Sequence, residues 1–232
     1  MAPATVVLVH GLCGTPAAWS RVIPLLDDLG VPNVAVQLPS CLPESTLDDA
    51  ASLRSVIDEF VDPVVLVGHS GGGMVLTEVG THPSVKHLVY VDAAMLDAGE
   101  TQADILNEEN LAPEFLACVQ ADDVGFAFDT DALAAYFVRR GWSAADADEF
   151  VPGLRPQRAA ASTLENSVAA WRSVPSTFIS CEDSEISSDL RALFASRATN
   201  VIEIPGDHFP IWLRPGEVAD IIARIARESA DQ

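Results

Sequence analysis

Positive charge is what this chain has least of: 13 Lys and Arg residues, a single lysine (Lys86) among them, stand against 34 Asp and Glu, for a formal net charge of −21. A field of that sign repels phosphate backbones and anionic lipid headgroups at long range, which excludes nucleic acid and membrane surfaces as partners. The surplus carboxylates read as a solvated, solubilising surface. Cysteine is scarce as well. Cys13, Cys41, Cys118 and Cys181 show no Cys-x-x-Cys spacing, so free thiols are expected rather than a disulfide framework. No His/Cys/Asp/Glu cluster has metal-ligand spacing, and neither a metal nor a cofactor is expected. Long apolar runs are missing too, and no basic stretch followed by an apolar segment opens the chain, so a cytoplasmic, soluble protein without a membrane span is the expectation. Internal repeats and low-complexity tracts are absent.

What is present is globular: 49% hydrophobic and 20% charged residues over 232 positions, enough for one domain with one insertion. Strands are expected at 5–9, 34–37, 64–67, 85–91, 176–181 and 200–204. Lys86 and His87 put polar residues near the start of the fourth. Helices are expected near 16–29, near 47–60 after a loop through Pro39 and Pro43, and from the end of the third strand to about His82. Strands alternating with helices over short connections imply a mostly parallel central sheet flanked by helices. The rhythm breaks after Asp92. Residues 96–162 are acidic and aromatic-bearing and read as a small helical cap inserted into a core of residues 1–95 and 163–232. Phe115, Phe126, Phe128, Tyr136, Phe137 and Trp142 are its candidate pocket or cap-core residues.

Chemistry is concentrated at Gly68-His69-Ser70-Gly71-Gly72, which follows Val64-Val65-Leu66-Val67 and precedes a segment able to open a helix. This is the strand–turn–helix setting of a nucleophile elbow, whose tight turn needs small flanking residues and lifts the serine Oγ above the sheet. A serine needs an imidazole to take its proton, and the imidazole needs a carboxylate. His208 follows the strand 200–204 and Asp183 follows the strand 176–181, so both would leave the carboxyl edge of a parallel sheet, where active sites form. Ser70, Asp183 and His208 are therefore the catalytic candidates, and Asp92, at the end of the strand after the elbow, is the rival for the acid. Asp207 reads as a turn former, and Glu182 is one residue off the expected acid position.

With Val6-Val7-Leu8-Val9 running into His10-Gly11-Leu12-Cys13-Gly14, Trp19 soon after, the elbow itself, and Leu154-Arg155-Pro156-Gln157 late in the cap, the chain resembles the α/β-hydrolase fold over essentially its whole length. Within that fold it is similar to the small-capped group of plant methyl esterases and hydroxynitrile lyases with their bacterial relatives. The resemblance implies an α/β architecture with the Ser, Asp, His order, and an oxyanion hole from the backbone N–H groups of Leu12 and Gly71. Hydroxynitrile lyases usually carry a lysine after the catalytic histidine and a threonine in the oxyanion turn. Phe209 and Gly11 occupy those places here, so the resemblance favours hydrolysis of a small-molecule ester.

The remaining histidines have plainer readings. His10 braces the oxyanion turn, His69 faces away from the nucleophile's task, and His82 and His87 are expected at the surface. A non-hydrolytic enzyme using the same triad, such as a lyase or a cofactor-free perhydrolase, and a non-catalytic ligand receptor remain as alternatives, since fold alone does not set function. The sequence leaves the oligomeric state open.

Overall fold

A computed structural model describes residues 2–41, 48–105, 107–158 and 165–231. Pro43, the first residue of the helix expected at 47–60 and the cap boundary at 162/163 lie outside them. In chain order the strands are β1 (Thr5–Val9), β2 (Asn33–Val36), β3 (Val64–His69), β4 (Val85–Val91), β5 (Val119–Ala121), β6 (Gly125–Phe128), β7 (Gln157–Arg158), β8 (Ser176–Cys181) and β9 (Asn200–Ile204).

Six of them form one sheet in the order β2-β1-β3-β4-β8-β9, with every neighbouring pair parallel. A parallel sheet is covered on both faces, so its strands read as continuous apolar runs. Alternate side chains of those runs feed two separate cores. Val6, Leu8, Val65, Val67 and Ile179 pack towards the helix Pro215–Glu228 through Val218, Ile222 and Ile225. Val7, Val9, Leu66, Leu88 and Phe178 pack towards Leu53, Ile57, Leu76 and Phe194 on the other face.

Three local expectations differ from what forms. The helix expected over 16–29 is broken into a 3-10 turn, Pro16–Trp19, and a helix, Ile23–Asp28. Pro24 has no N–H to bond back to residue 20, so the helix restarts with the proline in its first turn. His87, expected at the surface, is buried, and its ring hydrogen-bonds Thr177 Oγ1 at 2.9 Å; desolvation lowers its pKa to about 4. A neutral imidazole with a hydroxyl partner can be buried inside a strand at little cost.

The cap is not purely helical. Beside helices Thr130–Arg139 and Ala144–Phe150 it holds an antiparallel sheet in the order β5-β6-β7. Asp122 makes the hairpin turn by accepting from the N–H groups of Val124 (2.8 Å) and Gly125 (2.9 Å). The two helices are N-capped by Asp129, which accepts from Ala132, and Ser143, which accepts from Asp146. Phe137, Trp142 and Phe150 belong to the same apolar cluster as one face of the main sheet, so the cap is seated on the core. No helix among the described residues is long and apolar enough to cross a membrane.

Candidate active site

The strand order changes direction between β1 and β3, and a crevice forms at the carboxyl ends of such neighbours. Ser70 leaves β3 there with φ 52°. The turn is so tight that a Cβ on Gly68 would lie 2.2 Å from Leu76 Cδ2, and one on Gly72 would lie 2.7 Å from the carbonyl oxygens of Val9 and His10. The pattern of small residues around Ser70 is thus a packing requirement.

Ser70 Oγ donates to His208 Nε2 at 2.8 Å. On the other side of the ring, His208 Nδ1–H donates to Asp92 Oδ2 at 2.7 Å. Ser70 and His208 are therefore brought together as the sequence predicts, while Asp183 is not. Its side chain is exposed, and its backbone is what the fold uses: the N–H donates to Gly206 O (3.0 Å) and the carbonyl accepts from Arg140. The carboxylate on the histidine belongs to Asp92, which is fully buried and has φ 42°. The reason is positional. β4 lies between β3 and β8, so its end faces the imidazole that reaches back from beyond β9, and the turn after β8 points Asp183 outward. Asp92 also accepts from Cys181 N–H (3.2 Å, Oδ1) and from Ser184 Oγ, so all its neighbours donate to it, as an ionised carboxylate requires.

Burial disfavours the charged form of His208, yet the Asp92 hydrogen bond and charge, with the charges of Glu185 and Asp207, raise its pKa above the ordinary value. Asp207 is a turn former, accepting from Phe209 N–H (2.9 Å), and its other oxygen accepts from Trp142 Nε1 (2.6 Å) in the cap. His69 contributes more than its sequence reading assigned. Burial, followed by the nearby His208, lowers its pKa to about 3, and its neutral ring donates from Nε2 to the His208 carbonyl at 2.7 Å.

Leu12 and Gly71, whose N–H groups are the expected oxyanion donors, are packed against each other: a Cβ on Gly71 would fall 2.4 Å from Leu12 Cγ. Neither N–H donates to a partner among the described residues. The turn that carries Leu12 is braced from two directions. His10 donates from Nδ1 to Gly11 O (2.8 Å) and accepts at Nε2 from Leu38 N–H (3.1 Å), the bracing role read from the sequence. From the cap, Gln157 Oε1 accepts from Cys13 N–H (2.9 Å) and Arg155 N–H donates to Cys13 O (2.8 Å). The tetrapeptide Leu154-Arg155-Pro156-Gln157 thus clamps the residue after Leu12, a function invisible in its sequence.

Ser70 and His208 open into a cavity of about 340 Å³ between core and cap. Its walls include Leu12, Phe115, Phe126, Phe128, Leu133 and Ile186, so three of the six cap aromatics face it. Tyr136, Phe137 and Trp142 instead pack where the cap meets the core, Phe137 stacking on Trp142 at 4.3 Å and standing edge-on to Phe209 at 5.0 Å. Gln102 is a polar exception in the wall, and its Oε1 is buried with no hydrogen-bond partner. No group of three His, Cys, Asp or Glu side chains among the described residues could hold a metal ion.

A parallel sheet with a serine at a strained strand–helix turn after β3, a buried aspartate at the end of β4 and a histidine beyond β9 is an α/β scaffold with these side chains gathered at its carboxyl edge. The family model described as "Alpha/beta hydrolase family" matches residues 6–221, and the chain belongs to that family. It is similar to Methylesterase 2 of Arabidopsis thaliana, 29% identical over 95% of both chains. Among solved structures it is similar to a pyrethroid hydrolase from Sphingobium faniae (TM-score 0.80, 22% identity, 99% of each chain). Polyneuridine aldehyde esterase superimposes equally well (TM-score 0.81, 23% identity, 96% of this chain and 99% of that one).

Proposed function

We propose that the protein hydrolyses carboxylic esters of small, largely apolar molecules through an acyl-enzyme on Ser70, with His208 as general base and acid and Asp92 as its orienting carboxylate. The observation that carries this reading is the hydrogen-bonded chain from Ser70 Oγ through both ring nitrogens of His208 to Asp92 at the mouth of an apolar cavity. Ser70 Oγ attacks the ester carbonyl carbon as its proton passes to Nε2. The negative charge forming on the carbonyl oxygen is met by the Leu12 and Gly71 N–H groups, each such donor contributing roughly 2.7–4 kcal/mol to transition-state stability. Asp92 stabilises the imidazolium, which protonates the alcohol oxygen as the C–O bond breaks. Water then attacks the acyl carbon, giving a proton to His208, and Ser70 leaves with that proton restored.

Relatives named methylesterase, hydrolase and esterase support hydrolysis. So does the cavity wall, which among the described residues holds no lysine or arginine to stabilise an anionic leaving group such as cyanide. The four cysteines are all unpaired and buried, which fits a cytoplasmic setting where thiols stay reduced.

The test is hydrolysis of a graded series of p-nitrophenyl and methyl esters, with mass spectrometry after treatment with a serine-directed phosphonate. Turnover together with a mass increase on the Ser70 peptide is the expected result; neither turnover nor label would point to a ligand receptor instead. The pH profile gives a further expectation. Because the His208 pKa is raised, the imidazole stays protonated, and unable to accept from Ser70, to a higher pH than an ordinary histidine. The acid limb of kcat/KM should therefore have its midpoint above 6.5, falling as pH decreases, and a midpoint below 6.5 would contradict this electrostatic picture.

A further inference from the structure

Glu185 is a carboxylate that the mechanism above does not use, and it is 2% exposed. Its Oε2 accepts from the backbone N–H of His208 at 2.9 Å. Its Oε1 accepts from the hydroxyl of Tyr136 at 2.8 Å and lies 3.3 Å from Arg140 Nε. Tyr136 is in the cap helix Thr130–Arg139 and Arg140 directly follows it. The same Arg140 also binds the Asp183 carbonyl, in the turn that carries Glu185 itself. A buried carboxylate is tolerated only when paired and fully hydrogen-bonded, so two cap residues are what permit this one to sit under the base.

The peptide of His208 is held on both sides by side chains. Glu185 takes its N–H and His69 supplies its carbonyl with a donor. Ser70 and Asp92 then fix the ring. His69 belongs to the nucleophile turn and the aspartate to β4, so of the groups that hold His208, Glu185 is the one answering to the cap. The Trp142–Asp207 bond adds a second tie between the cap and the same loop.

We propose that Glu185 is a positioning residue: through Tyr136 and Arg140 it makes the seating of the cap and the placement of His208 a single structural event, so that the base is in register only under a closed cap. This rests on the ester-hydrolase reading of the site. Charged and titratable groups face the imidazole from every side: Asp92 from β4, His69 from the elbow, Glu185 from the turn after β8 with Arg140 against it, and Asp207 from its own loop.

The experiment compares wild type with Glu185→Gln, which keeps the shape but loses the charge and one acceptor, and with Tyr136→Phe, which removes one of the two cap contacts to Glu185 and leaves that of Arg140. Both receive pH profiles and a measured rate of phosphonate labelling at Ser70. The Glu185→Gln protein should lose roughly 10–100-fold in kcat, the range for a misplaced catalytic group, with KM within about threefold. Its acid limb should move to lower pH, because a negative charge near the imidazole is gone. Tyr136→Phe should lower kcat and the labelling rate in the same direction by a smaller factor.

Unchanged kcat and an unmoved acid limb in a folded Glu185→Gln protein would overturn the proposal. If that variant does not fold, an unchanged labelling rate in Tyr136→Phe overturns it instead. A wild type that neither turns over esters nor takes label removes the ester-hydrolase reading and this proposal with it. An active wild type with indifferent variants removes this proposal alone.

Discussion

Ser70→Ala should lower kcat for any ester the protein turns over by about 10⁶-fold, the scale on which loss of a serine nucleophile acts in enzymes of this kind. The loss is that large because nothing nearby can replace the hydroxyl. His69 is committed to the His208 carbonyl, and burial pushes the Cys13 thiol up to about 12, leaving it protonated. The Leu12 and Gly71 N–H groups are backbone and survive the substitution, so a small residual rate over uncatalysed hydrolysis should remain. The fold should be unaffected, because among the described residues Oγ is bonded only to His208. The check is kcat measured beside the melting temperature and the phosphonate mass shift. Retained turnover in a folded Ser70→Ala protein would sink the acyl-enzyme mechanism.

Asp92→Asn should cost about 10⁴-fold in kcat, the size of the effect when a triad carboxylate becomes an amide. Three donors converge on this side chain: His208 Nδ1–H, Cys181 N–H and Ser184 Oγ–H. Asparagine offers one oxygen in place of two. If its NH₂ turns towards His208, the ring must carry its proton on Nε2 and can no longer accept from Ser70. If the NH₂ turns towards Cys181, two N–H groups confront each other in a buried site, at a penalty of about 1–3 kcal/mol. Asp183→Asn, by contrast, should leave kcat within about twofold, as surface changes away from contacts do, because its carboxylate is exposed and unbonded among the described residues. Kinetics of the two variants side by side decide between the carboxylates. A collapse in Asp183→Asn with Asp92→Asn active would restore the assignment read from the sequence.

That contrast marks where sequence reasoning stops. The elbow was legible because its demands are local: an apolar strand, a turn of small residues at 68 and 72, and a helix beyond. His208 was legible because a lone histidine followed the last strand. The acid was not, because Asp92 and Asp183 each follow an apolar strand, and only the order β3-β4-β8-β9 places one beside the imidazole. Glu185 was hidden for the same reason, since its partners Tyr136 and Arg140 are more than forty positions away. Continuous apolar runs gave the strands of the main sheet well. They missed the cap hairpin, which depends on Asp122 and on the approach of β6 to β7, where a Cβ on Gly125 would meet Gln157 O at 2.0 Å.

The left-handed backbone at Ser70 and Asp92 bears on what kind of molecule selection can keep. A side chain in that conformation costs about 1–2 kcal/mol, so the pair together gives up on the order of 2–4 kcal/mol out of a net folding stability of about 5–15 kcal/mol. Glycine at Ser70 would relax the turn at the loss of the nucleophile, whereas at Asp92 it would also strand the three donors that converge on the carboxylate. The crevice therefore holds backbone strain that the chemistry needs at Ser70, and gains in heat resistance have to come from surfaces far from it.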